Sequence, residues 1–243
     1  MIQRPFCDRI ILMGSPGTGK STQLLNCVRY LQSLGVTCHI LDFEDKLAAM
    51  TYGADEKWPL IKVATAWEEM KEQLAALKTS PGDWIMVDRV DLTWPAVQRW
   101  YTQQRYNQDL ASLMVEKAKQ MKAKASQFVP RFDEGSWQVI NENYDSWILE
   151  LLYGRRCHLL MTTGIKEDTS GLDVFGHLGV LPRGQKELGH QPNSVFLLYQ
   201  KKVGREILWC IKTGKDLESR GWFDDEQLYD FAIQYLGSRA GWA

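Results

Sequence analysis

"RIILMGSPGTGKSTQLLNCVRYLQSLG", residues 9–35, decides the fold. Its first six residues are an apolar, strand-prone run ending in glycine, and from Lys20 onward the apolar residues fall at helical spacing until Gly35. Between them "GSPGTGKS", Gly14 to Ser21, fits G-x-x-x-x-G-K-[ST] in the strand, loop and helix context that the motif requires. Glycines let the backbone fold round an anion, so that successive N–H groups and the helix N-terminus point at phosphate oxygens. The expected nucleotide-contacting set is Gly14, Ser15, Pro16, Gly17, Thr18, Gly19, Lys20, Ser21 and Thr22. Lys20 would reach the β- and γ-phosphates, and the Ser21 hydroxyl would ligate Mg²⁺. A nucleoside triphosphate is the predicted ligand.

Outward from this stretch the chain alternates. "VTCHILDFE" reads as a second strand, "WEEMKEQLAALK" (67–78) as a helix with acids in its first turn, and "DWIMVD" (83–88) as a third strand after the turn "SPG". Residues 104–128 and 146–154 are predicted helical, and "CHLLMTT" (157–163) is a further strand. "SVFLLYQKK" and "REILWCIKTGK" predict an antiparallel pair turning at "VG", followed by a C-terminal helix near "DEQLYDFAIQYLG". The order predicts an α/β fold: a mostly parallel sheet with helices on both faces, late antiparallel strands at one edge, and chemistry at the carboxyl ends of the strands. A chain of 243 residues suits one domain, 1–243. Residues 164–193 are glycine-rich without regular periodicity, which predicts a long mobile functional loop.

Composition excludes more than it identifies. A formal net charge of −1 advertises no strongly basic surface. Cys7, Cys27, Cys38, Cys157 and Cys210 are odd in number, widely spaced and mostly in apolar runs, which suits reduced core thiols. No apolar run approaches the ~18 residues of a membrane span, and no h-region opens the chain, so a soluble, cytoplasmic protein is expected.

The acids near the strand ends carry the chemistry. Asp88 closes an apolar run in the form of the second Mg²⁺-holding acid, with Asp91 as runner-up. "HILDFEDK" (39–46) then sets Asp42, Glu44 and Asp45 within four residues, where crowded carboxylates should raise one another's pKa. Alternation puts Asp42 and Glu44 on one face, and Glu44, with the longer reach, is the expected general base, Asp45 the second choice.

Taken in order, "GSPGTGKST", "GVTCHILDFEDKLA", "DWIMVDRVDLTWP" and "CHLLMTTG" resemble the RecA-like recombinase and helicase ATPases. The resemblance is strongest to small phage-encoded members linked with single-strand annealing, and covers about residues 8–100 and 150–216. It implies ATP with Mg²⁺, Lys20 and Ser21 on phosphate and metal, Asp88 as second acid, Glu44 as base, and Thr162 or Thr163 sensing the γ-phosphate. It also implies a homo-oligomer, ring or filament, with ATP held between subunits and Lys212 and Lys215 reaching a neighbour's nucleotide. Single-stranded DNA would meet the 164–193 loop and stimulate turnover, and a phage-encoded protein would work in the host cytoplasm. A glutamine is usual in RecA where this chain has threonine, and residues 100–145 have no counterpart there, which marks them as a helical insertion and a candidate partner surface.

Lesser signals remain. Lys166, His177, Arg183, Lys186 and His190 in the long loop offer cations to DNA phosphates. His39 and His158 lie in strands as core histidines, Trp84 and Trp209 as core tryptophans, and Trp94, Trp100 and Trp137 are candidates for a stacking surface. Lys117 to Lys124 predict a solvated face. Two rival functions stand: a nucleotide or small-molecule kinase, in which Asp42 or Glu44 would hold an acceptor hydroxyl, and a nucleotide-gated assembly or packaging ATPase.

Overall fold

A computed structural model describes residues 7–51, 58–120, 132–168, 175–217 and 221–242. Ten strands and six α-helices follow in chain order among them: β1 (Arg9–Gly14), α1 (Lys20–Ser33), β2 (Cys38–Asp42), α2 (Leu47–Thr51), β3 (Ile61–Val63), α3 (Trp67–Ala75), β4 (Trp84–Asp88), α4 (Thr93–Tyr106), α5 (Leu110–Gln120), α6 (Glu134–Tyr153), β5 (His158–Thr163), β6 (Ile165–Glu167), β7 (Val180–Pro182), β8 (Ser194–Val203), β9 (Glu206–Asp216) and β10 (Glu226–Gln227). Eight strands form one sheet in the order β10-β9-β8-β1-β5-β4-β2-β3, and β6 pairs with β7 as a separate hairpin. From β8 to β3 every pairing is parallel, whereas β9 and β10 are antiparallel. The expected fold class is met: a mostly parallel sheet flanked by helices, with antiparallel strands at one edge.

The strands are apolar almost throughout because both faces are covered. Ile11, Met13, Leu41, Ile85, Val87, Leu159 and Met161 join one cluster with Trp67, Met70, Tyr144 and Ile148 from α3 and α6. Their neighbours Ile10, Leu12, Ile40, Met86 and Leu160 face the other way, against Leu24, Val28 and Leu31 of α1 and Phe231, Tyr235 and Leu236 near the C-terminus. The period-2 alternation of each strand thus feeds two cores. Removing a fully buried ring such as Trp67 or Trp84 would cost about 3–5 kcal/mol. All five cysteines are free and buried, as the spacing predicted.

Several sequence expectations change. The helix expected over 104–128 breaks at Asn107, whose left-handed backbone (φ 52°) caps α4, and α5 follows; 121–131 lies outside the described residues. The helix expected over 146–154 begins at Glu134, where the Asp133 carboxylate accepts the Ser136 amide. The insertion is no detached surface: Tyr101, Leu113, Phe132, Ile140 and Tyr144 belong to the main core, and Trp94 stacks on Trp137 at 6.1 Å. Trp94, Trp100 and Trp137 are thereby half-buried packing residues. Trp209 departs in the other direction. It is 46% exposed, in the outer part of β9 near the turn from β8.

The stretch 164–193 is more structured than its composition suggests. β6 and β7 form an antiparallel hairpin, and Phe175 and Leu188 reach the core; 169–174 lies outside the described residues. The expected C-terminal helix is reduced to Ala232–Gly237, wound as a π-type turn after the short β10. His39 meets Asp83 at 3.1 Å, and His158 accepts the Asp8 amide and stacks on Trp84, so both are satisfied strand histidines. Among the described residues no helix is long and apolar enough to cross a membrane, and no three or more histidine, cysteine, aspartate and glutamate side chains gather as a metal-binding group.

Candidate nucleotide site

Parallel pairing brings the tips of β1, β5, β4 and β2 to one edge of the sheet. Met13 is in register with Thr163, and Asp42 with Asp88. The loop after β1 folds back over this edge because its glycines permit it: Gly17 and Gly19 have φ of 81° and 85°, and a Cβ on Gly14 would stand 2.3 Å from the Leu198 carbonyl oxygen. Lys20, the first residue of α1, curls under the loop and donates to the carbonyls of Gly14 and Ser15 at 2.7 and 2.8 Å. With the Gly14 and Ser15 carbonyls held by Lys20, the loop has the glycine-rich form that can cradle an anion with its N–H groups.

Beneath it the Ser21 hydroxyl donates to Asp88 Oδ2 at 2.7 Å, and Thr162 donates to the other oxygen of Asp88. Burial raises the Asp88 pKa, partly offset by those two hydrogen bonds and by Lys46, 3.9 Å away. A serine and a buried carboxylate in contact form an oxygen donor pair suited to a hard divalent cation. Ser21 and Asp88 are the residues here that could hold Mg²⁺.

The three acids of residues 42–45 prove to have three different roles. Asp42 is fully buried, and its carboxylate accepts the amides of Glu44, Lys46 and Leu47 at 2.7–3.0 Å; it caps the turn and the start of α2. Asp45 has φ 55° and is exposed to solvent, so it stands outside the cleft. Glu44 alone lines it, past the end of β2 rather than on the strand. For Glu44 the expected raising of the carboxyl pKa is reversed. Burial pushes the Glu44 carboxyl up, but hydrogen bonds from Lys46 and Arg89 outweigh it and hold the group below its usual range.

Arg89 is the organiser that motif reading missed. It donates to Glu44 Oε1 at 2.6 Å and to both oxygens of Asp91, at 3.2 and 2.9 Å. These contacts raise its own pKa, the Asp91 hydrogen bonds contributing most. Asp91 therefore serves the arginine, 1% exposed at its side chain, and does not meet Ser21. Glu44, Lys46, Arg89 and Arg183 line a cleft of about 510 Å³ over the loop. Lys20 responds to the gathered charge: burial first, then Arg89 and Lys46, lower its pKa to about 8. The signal available in the sequence was the cation immediately after each acid, Lys46 after Asp45 and Arg89 after Asp88.

The remaining expected residues fall around this centre. The Thr163 hydroxyl donates to the Arg183 carbonyl at 2.9 Å, and that of Thr162 serves Asp88, so each has a protein partner at the tip of β5. Lys212 lines a second groove of about 840 Å³ that shares Ser15 and Ile165 with the cleft. Lys215 pairs in register with Val195, two positions farther from the phosphate edge than Leu197 opposite Lys212, and donates to the His190 carbonyl at 2.6 Å. Of the loop cations, His177 contacts the Thr213 carbonyl and the ring of His190 lies against Phe175, while Lys186 is exposed.

A solved structure similar to this chain is that of a KaiC-like protein from the hyperthermophilic archaeon Pyrococcus horikoshii OT3, with a TM-score of 0.45 at 12% identity, covering 90% of this chain and 84% of that one. No family model matches the chain, and no curated protein does.

Proposed function

We propose that the chain is a P-loop ATPase of the RecA-like type, which binds ATP over Gly14–Thr22 and uses Glu44 to direct water at the γ-phosphate. The observation that carries this is the Ser21–Asp88 contact at 2.7 Å below the glycine loop, with Glu44 facing the same cleft. Four cations, Lys20, Lys46, Arg89 and Arg183, line the same cleft, where phosphate oxygens could meet them. Mg²⁺ held at Ser21 and Asp88 would neutralise charge building on the phosphate oxygens. Glu44, kept ionised by Arg89 and Lys46, is able to accept a hydrogen bond from the attacking water and take its proton. Thr162 holds the Asp88 carboxylate in place.

The coupling of this turnover to single-stranded DNA, in an oligomer that shares its nucleotide sites, is part of the proposal. Its support is the resemblance and the exposed Lys186 beyond the β6–β7 hairpin. One measurement tests both: phosphate release from ATP with and without single-stranded DNA at two protein concentrations. Stimulation by DNA and a rate per chain that rises with concentration are expected. Turnover indifferent to DNA, with no DNA binding at low salt, would leave only the nucleotide site. Phosphate appearing on an added nucleoside rather than in water would select the kinase instead.

A further inference from the structure

We propose that Arg183 contacts the terminal phosphate of a nucleotide bound in its own chain, and that Thr163 is the positioning residue that aims it. This rests on the nucleotide site proposed above and adds the residue that distinguishes triphosphate from diphosphate.

Three of the four cations in the cleft are already engaged. Lys20 is tied to the loop carbonyls, Lys46 is paired with Glu44, and Arg89 spans Glu44 and Asp91. Arg183 differs. Its nearest carboxylate is Asp91, with Nε at 4.0 Å from Oδ2, beyond hydrogen-bond length, and Asp91 already accepts two hydrogen bonds from Arg89. Among the described residues its guanidinium has no hydrogen-bonding partner, and its side chain is 64% exposed at the mouth of the cleft.

The arm makes no hydrogen bond and only a long ion pair with Asp91, yet its base is fixed. The Arg183 amide donates to the Gly164 carbonyl at 2.9 Å, and the buried Thr163 hydroxyl donates to the Arg183 carbonyl at 2.9 Å. Thr163 stands at the tip of β5, the strand between the phosphate-loop strand β1 and the Asp88 strand β4. Gly164 keeps the passage clear, since a Cβ there would meet Arg183 Cδ at 3.2 Å and Asp91 Oδ2 at 3.3 Å. An arginine so rooted offers a planar fork of donors to phosphate oxygens, and the terminal phosphate supplies the anion that Asp91, shared with Arg89, does not. The role expected of a side chain sensing the γ-phosphate from β5 thus passes to the residue whose main chain Thr163 holds.

The test compares binding of ADP and of a non-hydrolysable ATP analogue by the full chain carrying Arg183→Gln, Arg183→Lys, Thr163→Val or Thr163→Ser, with Lys20→Ala as reference. Arg183→Gln is expected to leave ADP affinity within about twofold and to weaken the triphosphate about tenfold, the worth of one charge-assisted contact. Arg183→Lys should recover part of that loss. Thr163→Val should reproduce it and Thr163→Ser restore it, which a purely structural role for the hydroxyl would not do to the ratio of the two affinities. Arg183→Gln alone decides the matter if Thr163→Val fails to fold. A triphosphate-to-diphosphate ratio unchanged in Arg183→Gln, while the unmodified chain binds both and Lys20→Ala binds neither well, overturns this inference and spares the nucleotide site. No binding by the unmodified chain overturns both.

Discussion

Lys20 and Lys215 begin alike. Each ammonium donates to main-chain carbonyls, Lys20 to Gly14 and Ser15 and Lys215 to His190, and burial lowers the pKa of both. They differ in company. Around Lys20 the charges of Arg89 and Lys46 add to the effect of burial and bring it to about 8, whereas burial alone acts on Lys215. A half-buried lysine tied to a carbonyl is ordinary carpentry, but a lysine pressed by other cations in one cleft marks a place that an anion would stabilise. Lys20 thus sits where an anion would relieve crowded positive charge, whereas Lys215 ties β9 to the His190 carbonyl.

The largest effect that would break this comparison is on turnover. Glu44→Gln should retain ATP affinity and lower steady-state hydrolysis by about 10²- to 10⁴-fold, since the amide keeps the shape but cannot take a proton. A variant at full speed would remove Glu44 from the mechanism. Next in size, Lys20→Ala should weaken triphosphate binding roughly a hundredfold, measured by titration with a fluorescent analogue, because two charge-assisted phosphate contacts go with it.

A smaller effect sharpens the electrostatic side. Phosphates beside Lys20 should raise its pKa from about 8, so between the free and bound values the complex holds more protons than the free chain. Affinity should therefore be level below pH 8 and fall above it, by at most about tenfold per pH unit. Calorimetry at pH 9 in buffers of different ionisation enthalpy should show proton uptake. Release, or no exchange, would mean that the lysine is not the group responding. The smallest effect belongs to Lys215→Met, which should change ATP affinity less than about twofold and stability by about 1 kcal/mol. If turnover collapsed in that variant with melting unchanged, Lys215 would be acting on a neighbouring chain's nucleotide.

Much of the site was legible because its signals are local. The glycine loop, Lys20 and Ser21 lie within eight residues, and their geometry follows from glycine's tolerance of positive φ and the start of one helix. Asp88 was legible as the end of an apolar run, and the two-faced sheet followed from alternating strands and helices. The break at Asn107 was hidden because the apolar spacing continues through it into α5. The hairpin within 164–193 was hidden because each strand is three residues long, too short for any period to show.

By itself, then, the sequence determined the phosphate loop, the order of the longer strands and of the helices between them, and the candidates at the strand tips, since these depend on residues a few positions apart. Only the tertiary structure decided which carboxylate does what. Asp42 turned inward to cap a helix, Asp45 turned out to solvent, and Glu44 met Arg89 from forty-five positions away, while Arg183 arrived beside Asp91 across ninety-two. The protonation and aim of a charged group depend on the charges within a few ångströms of it, and strand pairing, which brings those together, is indifferent to their distance along the chain.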